Sequence, residues 1–95
     1  MTETKCVHII ASGLVQGVGF RYYVKQQADV LNLYGWVRNR YDDTVEILAQ
    51  GDALHLTDLV SRVRTGPSRA QVTNLDVEWS EPSVKFTKFS IAPTD

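Results

Sequence analysis

Ninety-five residues make one domain, 1–95, with room for one modest core. Its 43% hydrophobic and 22% charged content is that of a folded globular chain and argues against disorder. The net charge of −1, from 10 basic and 11 acidic residues, argues against a general nucleic-acid binder with a basic surface.

The polar segment Met1–Lys5 precedes only a short apolar run, which fits neither a signal peptide nor a membrane span. The single cysteine, Cys6, cannot form an intrachain disulfide, so a reducing compartment is allowed. The cytoplasm is the expected address. No internal repeat, low-complexity tract or linker interrupts the chain.

Cys6–Ser12 is nearly continuously apolar and reads as a central strand. His8 within it is expected to be structural, because no second ligand stands at metal spacing. Cys6 is expected to be a packing residue. Glycines 13, 17 and 19 follow, and a helix is predicted from Phe20 or Arg21 to Leu31. Phe20, Val24, Ala28 and Leu31 form its buried stripe, with Tyr22, Lys25, Gln26 and Asp29 facing water. Asn32 is placed to take a left-handed cap conformation, with Leu33 folding back on the last turn.

Trp36–Tyr41 and Thr44–Gln50 alternate as strands of an antiparallel hairpin turning through Asp42-Asp43. Arg38 and Arg40 are expected as solvated edge charges. Asp52 is a candidate N-cap for a second helix whose buried face carries Leu56, Leu59, Val60 and Val63. Gly66-Pro67 ends that helix. Val72–Trp79 alternates, with Leu75, Val77 and Trp79 on one side. After the break at Pro82, Phe86–Ile91 is predicted as a short last strand.

The predicted fold class is α+β: a ferredoxin-like two-layer sandwich, βαββαβ with an extra C-terminal strand. Its antiparallel sheet has both helices on one face, and each half is a split strand–helix–strand unit with a right-handed crossover. Asn39 is expected on a strand neighbouring the first.

The turn from the first strand to the first helix carries the chemistry. Glycine permits positive φ and close approach of a ligand to the main chain. Successive N–H groups in such a turn can form an anion-binding nest, and the helix start adds unpaired N–H groups. Arg21 adds a permanently charged fork suited to phosphate oxygens. The turn is neither a Walker loop, because no Gly-Lys-Ser/Thr follows, nor a dinucleotide fingerprint, because the third glycine is missing. On physics alone it is a pocket for a small tetrahedral anion, or a glycine turn serving geometry only.

Gly13-Leu14-Val15-Gln16-Gly17-Val18-Gly19-Phe20-Arg21 resembles the first signature of the acylphosphatase family, and Gly35-Trp36-Val37-Arg38-Asn39 resembles the second. The resemblance runs from about Val7 to Ile91. It implies a hydrolase of the carboxyl-phosphate bond in acyl phosphates. Arg21 and backbone N–H groups of Val15, Gln16, Gly17, Val18, Gly19 and Phe20 would hold the phosphate, and Asn39 would orient the attacking water. No carboxylate pair or other ligand cluster for a metal stands beside the loop in the sequence, so no metal and no cofactor is expected. The expected partner is a small-molecule acyl phosphate, with inorganic phosphate or sulfate competing; a monomer is expected, with no nucleic acid and no membrane. Two other functions fit the same element order. A non-catalytic phosphate- or carbamoyl-phosphate-binding module would use the same loop. An RNA-recognition domain would need aromatic residues on its central strands, and Cys6–Ser12 has none.

Overall fold

The computed structural model describes residues 3–95; Met1 and Thr2, the start of the polar segment noted above, lie outside the described residues. The elements are β1 (Thr4–Leu14), α1 (Phe20–Val30), β2 (Tyr34–Asn39), β3 (Val45–Asp52), α2 (Ala53–Thr65), β4 (Gln71–Ser80) and β5 (Phe89–Ile91). This is the predicted ferredoxin-like order.

The helices begin and end where their sequence signals stand. Asp52 caps α2 by accepting a hydrogen bond from the Leu54 N–H at 2.8 Å. Asn32 takes φ 56° after α1. Its N–H donates to Asp29 O and that of Leu33 to Ala28 O at 2.9 Å, the paired bonds of a Schellman stop. Leu33 is thereby folded into the core.

One sheet runs β4-β1-β3-β2-β5. β1, β2, β3 and β4 pair antiparallel, whereas β5 joins β2 in parallel. Val7, Ile9 and Ala11 of β1, Val45, Ile47 and Ala49 of β3, and Val37 of β2 bury one face of the sheet. Phe20, Val24 and Ala28 of α1 and Leu56, Leu59 and Val63 of α2 cover that face. The period-2 and period-3.6 stripes therefore meet in a single apolar layer.

Three expectations are corrected. β2 does not neighbour β1, because β3 inserts between them. The second strand starts at Tyr34 and ends at Asn39, so Tyr41 lies in the turn, 83% exposed. Leu75, Val77 and Trp79 do share one side of β4, opposite Ala11, Ile9 and Val7, and Trp79 is 44% exposed near the end of that edge strand. Phe86–Lys88 is not strand: the connection to β5 is held by the buried Gln50 side chain, whose Nε2 donates to Val84 O and whose Oε1 accepts from the Phe86 N–H.

Candidate anion site and its neighbours

β1 pairs with β4 through a bulge at Ser12/Gly13, which bends the strand end before the loop. Val15 and Phe20 are buried and anchor the loop at both ends. Between them Gly17 and Gly19 stand exposed with φ 74° and 78°. Gln16 and Val18 keep negative φ, so the backbone alternates in hand along the loop, the pattern from which anion-binding nests are built. Gly19 is also the N-cap of α1, and no side chain caps the helix. Its first N–H groups thus have no capping side chain, and no acidic residue stands in the first turn.

Arg21 lies in that first turn and is half-buried. Among the described residues its guanidinium makes no ion pair, whereas Arg38 is taken up by Glu46 and Asp95 and Arg40 lies near Asp42.

Asn39 is brought to the same end of the sheet by register. Asn39 pairs with Val45, and Val45 pairs with Ala11. The three form one row on the helix-facing side, with Asn39 about 10 Å from Ala11 by two strand spacings. β1 and β2 run the same way, so Asn39 ends its strand where the anion loop leaves β1. The Asn39 Oδ1 is buried and has no hydrogen-bond partner among the described residues. Buried polar atoms are normally paired, so an unpartnered acceptor here calls for a donor from a ligand or water.

The β2–β3 turn continues from Asn39. Arg40 N–H donates to Thr44 O at 2.9 Å, and Asp43 N–H to Arg40 O at 3.2 Å. Asp43 takes φ 72°, so the three-residue loop is a type I turn closed by a left-handed residue. Asp42 accepts hydrogen bonds from the Thr44 hydroxyl and N–H, and these hold its carboxyl below the usual range. Gln16 reaches this turn from the anion loop: its Nε2 donates to Arg40 O at 2.8 Å and to Thr44 O at 2.9 Å. The sequence reading gave Gln16 only its backbone N–H, and no local pattern announces the side-chain bridge.

The chain end was also missed. Ala92 N–H donates to Val37 O, Asp95 N–H to Asn39 O and Tyr41 N–H to Asp95 O, so residues 92–95 flank β2 up to the site. Arg38 is therefore not a solvated edge charge. Its Nε donates to Glu46 Oε1 at 2.8 Å, and its guanidinium lies 4.6 Å from the Trp36 ring centroid. His8 Nε2 lies 2.6 Å from Glu46 Oε2. Burial pushes the Glu46 carboxyl up, but the hydrogen bonds from His8 and Arg38 outweigh it and hold it below its ordinary value. This network occupies the sheet face opposite the helices. A cavity of about 450 Å³ lies elsewhere, lined by Asn32, Tyr34 and Phe89 near the C-terminal end of α1.

Loop donors, an uncompensated guanidinium and an unpartnered amide oxygen can bind a phosphoryl group and orient a water. No group of His, Cys, Asp or Glu suited to a metal occurs among the described residues.

The chain is similar to known proteins over nearly its whole length. A family model described as acylphosphatase matches residues 7–91. An acylphosphatase of Chlorobaculum tepidum is 50% identical over 91 residues, covering 96% of this chain and 98% of that one. The crystal structure of acylphosphatase from Bacillus subtilis superposes with a TM-score of 0.90 at 43% identity, covering 93% of this chain and 98% of that one. Full-length HypF in its phosphate- and nucleotide-bound form matches with a TM-score of 0.89 at 26% identity, over 100% of this chain but 13% of that one.

Proposed function

The chain belongs to the acylphosphatase family, and we propose that its 15–20 loop, Arg21 and Asn39 divide the hydrolysis of acyl phosphates between them. The reaction converts an acyl phosphate and water to a carboxylate and inorganic phosphate. Backbone N–H groups of residues 15–20 and the Arg21 fork hold the phosphoryl oxygens. The leaving carboxylate has a conjugate acid of pKa roughly 4, so no general acid is needed. Catalysis then rests on positioning and on stabilising charge over the equatorial oxygens. Asn39 Oδ1 accepts a hydrogen from the attacking water and aims its lone pair at phosphorus. The new P–O bond forms as the bond to the carboxylate breaks, and the water's proton passes to a phosphate oxygen, because an amide is no base at neutral pH.

The observation that carries this division is the unpartnered Asn39 Oδ1, on the helix-facing side at the sheet end where the loop begins. The span 1–95 acts as one domain and as a monomer. Inorganic phosphate and sulfate compete for the cradle. A cytoplasmic address fits the lone cysteine; among the described residues no helix is long and apolar enough to cross a membrane. The non-catalytic module is not favoured, because relatives matched over nearly their full length are named acylphosphatases.

The test is phosphate release from benzoyl phosphate in the presence of EDTA. Turnover that persists with chelator and falls competitively with added phosphate is expected. Folded protein that releases no phosphate would remove the hydrolase reading, and activity restored only by magnesium would remove the metal-free one.

A further inference from the structure

We propose that the Gln16 side chain is a positioning residue, which locks the anion loop to the turn after Asn39 and so fixes the attacking water relative to phosphorus. The proposal rests on the roles given above to the loop and Asn39.

The need for such a lock follows from topology. The loop extends β1 and Asn39 ends β2, yet no backbone ladder joins these strands, because β3 lies between them. Beyond their last paired residues, both ends project past the sheet. The phosphate is thus held on a loop past the end of β1, and the water on Asn39, the last paired residue of β2. Their separation must stay constant to well under an ångström, since a displacement of about 1 Å costs roughly 100-fold in rate.

Gln16 spans that gap directly. Its amide nitrogen has two hydrogens, and each finds a carbonyl: Arg40 O at 2.8 Å and Thr44 O at 2.9 Å. Arg40 directly follows Asn39, and Thr44 directly precedes Val45, the residue paired with Asn39. The bridge therefore grips both sides of the Asn39–Val45 pair. Both carbonyls already accept backbone hydrogen bonds from within the turn, so the turn is closed without Gln16. What the bridge adds is the link to the loop.

The residue type is demanding. Glutamate has no hydrogens to donate and would face two carbonyl oxygens with a negative charge. Asparagine is one methylene shorter. Methionine matches glutamine in length and neutrality and donates nothing.

The experiment is a double-mutant cycle in turnover and phosphate inhibition, with Gln16→Met, Asn39→Ala and the pair, using benzoyl phosphate. Gln16→Met should lower kcat about 10- to 100-fold and leave the phosphate inhibition constant within about twofold, because the cradle's N–H groups and Arg21 remain. In the Asn39→Ala background, the same change should lower kcat by less than about threefold, because the group it positions is gone. Gln16→Asn carries the same readings if Gln16→Met does not fold. A folded variant with near-normal kcat overturns the proposal. So does an equal loss in both backgrounds, or an inhibition constant that rises in step with the loss in kcat. A wild-type protein without activity would instead overturn the hydrolase reading beneath it.

Discussion

Ala11 and Asn39 stand in one row on the helix-facing side of the sheet, although β3 separates their strands. Ala11 precedes the anion loop and Asn39 ends β2, so one row aligns the cradle with the candidate water-orienting group. The division of labour between cradle and water leads to the first test.

Arg21→Lys keeps the charge but loses the planar fork. Phosphate inhibition should weaken about tenfold, with turnover falling too, since the fork contacts phosphate before and during reaction. Asn39→Ala should leave phosphate affinity near wild type while turnover falls about 100-fold. Turnover and phosphate inhibition constants of both folded variants decide it; equal loss of phosphate affinity would move Asn39 into the cradle.

Asn39 also makes a prediction that needs no activity. Its Oδ1 is buried without a partner among the described residues, which costs the free protein stability. Asn39→Ala should therefore unfold at the same temperature or higher, with a gain of up to about 1 kcal/mol. A clearly lower melting temperature would show that Asn39 holds the fold together.

A Cβ built on Gly17 or Gly19 would meet no atom within 4 Å, so the penalty at either position is conformational. At φ 74° and 78° a β-branched side chain is strained, by about 1–2 kcal/mol. Gly17→Val and Gly19→Val should lose that much stability and, where folded, bind phosphate more weakly because the cradle N–H groups turn away. Thermal melts and phosphate inhibition constants check both; wild-type phosphate affinity in folded variants would assign these glycines to geometry alone.

Glu46 ties His8 and Arg38 together on the opposite face, its side chain only 12% exposed. Its folded pKa lies below the ordinary 4.5, so the unfolded chain binds the proton first. The contribution is complete above the ordinary value and is lost as pH falls through the depressed one. Glu46→Gln should cost about 1–3 kcal/mol at pH 7, and its deficit against wild type should shrink as pH falls below 4.5. Denaturant melts of both proteins at neutral and acidic pH measure this; a deficit independent of pH would contradict it.

Cys6 is buried, and burial pushes its thiol pKa up. Little thiolate is exposed to react. Iodoacetamide should modify the native protein slowly and leave turnover intact, with fast labelling only after denaturation. Inactivation proportional to labelling of folded protein would place Cys6 near the chemistry.

The sequence by itself determined what adjacent residues decide. The stripes Phe20–Val24–Ala28 and Leu56–Leu59–Val63, the Asp52 cap, the Asn32 stop and the glycine alternation before Arg21 are local, because each depends on residues within a turn or two. So the helices, the strands and the anion loop were legible in the chain. Only the tertiary structure decided who stands beside whom. β3 came to lie between β1 and β2, so Asn39 is not on a strand beside β1, and β5 joined β2 in parallel. Residues 92–95 then flanked β2, which turned Arg38 from an edge charge into a partner of Glu46 and Asp95. Gln16 found carbonyls 24 and 28 residues away, and Asn39 Oδ1 was left buried without one. Alternation tells which side of a sheet a residue faces but carries no signal for which strand pairs beside it. Pairing between segments far apart in the chain sets that order, and it brings Asn39 to the end of the sheet where the loop leaves β1.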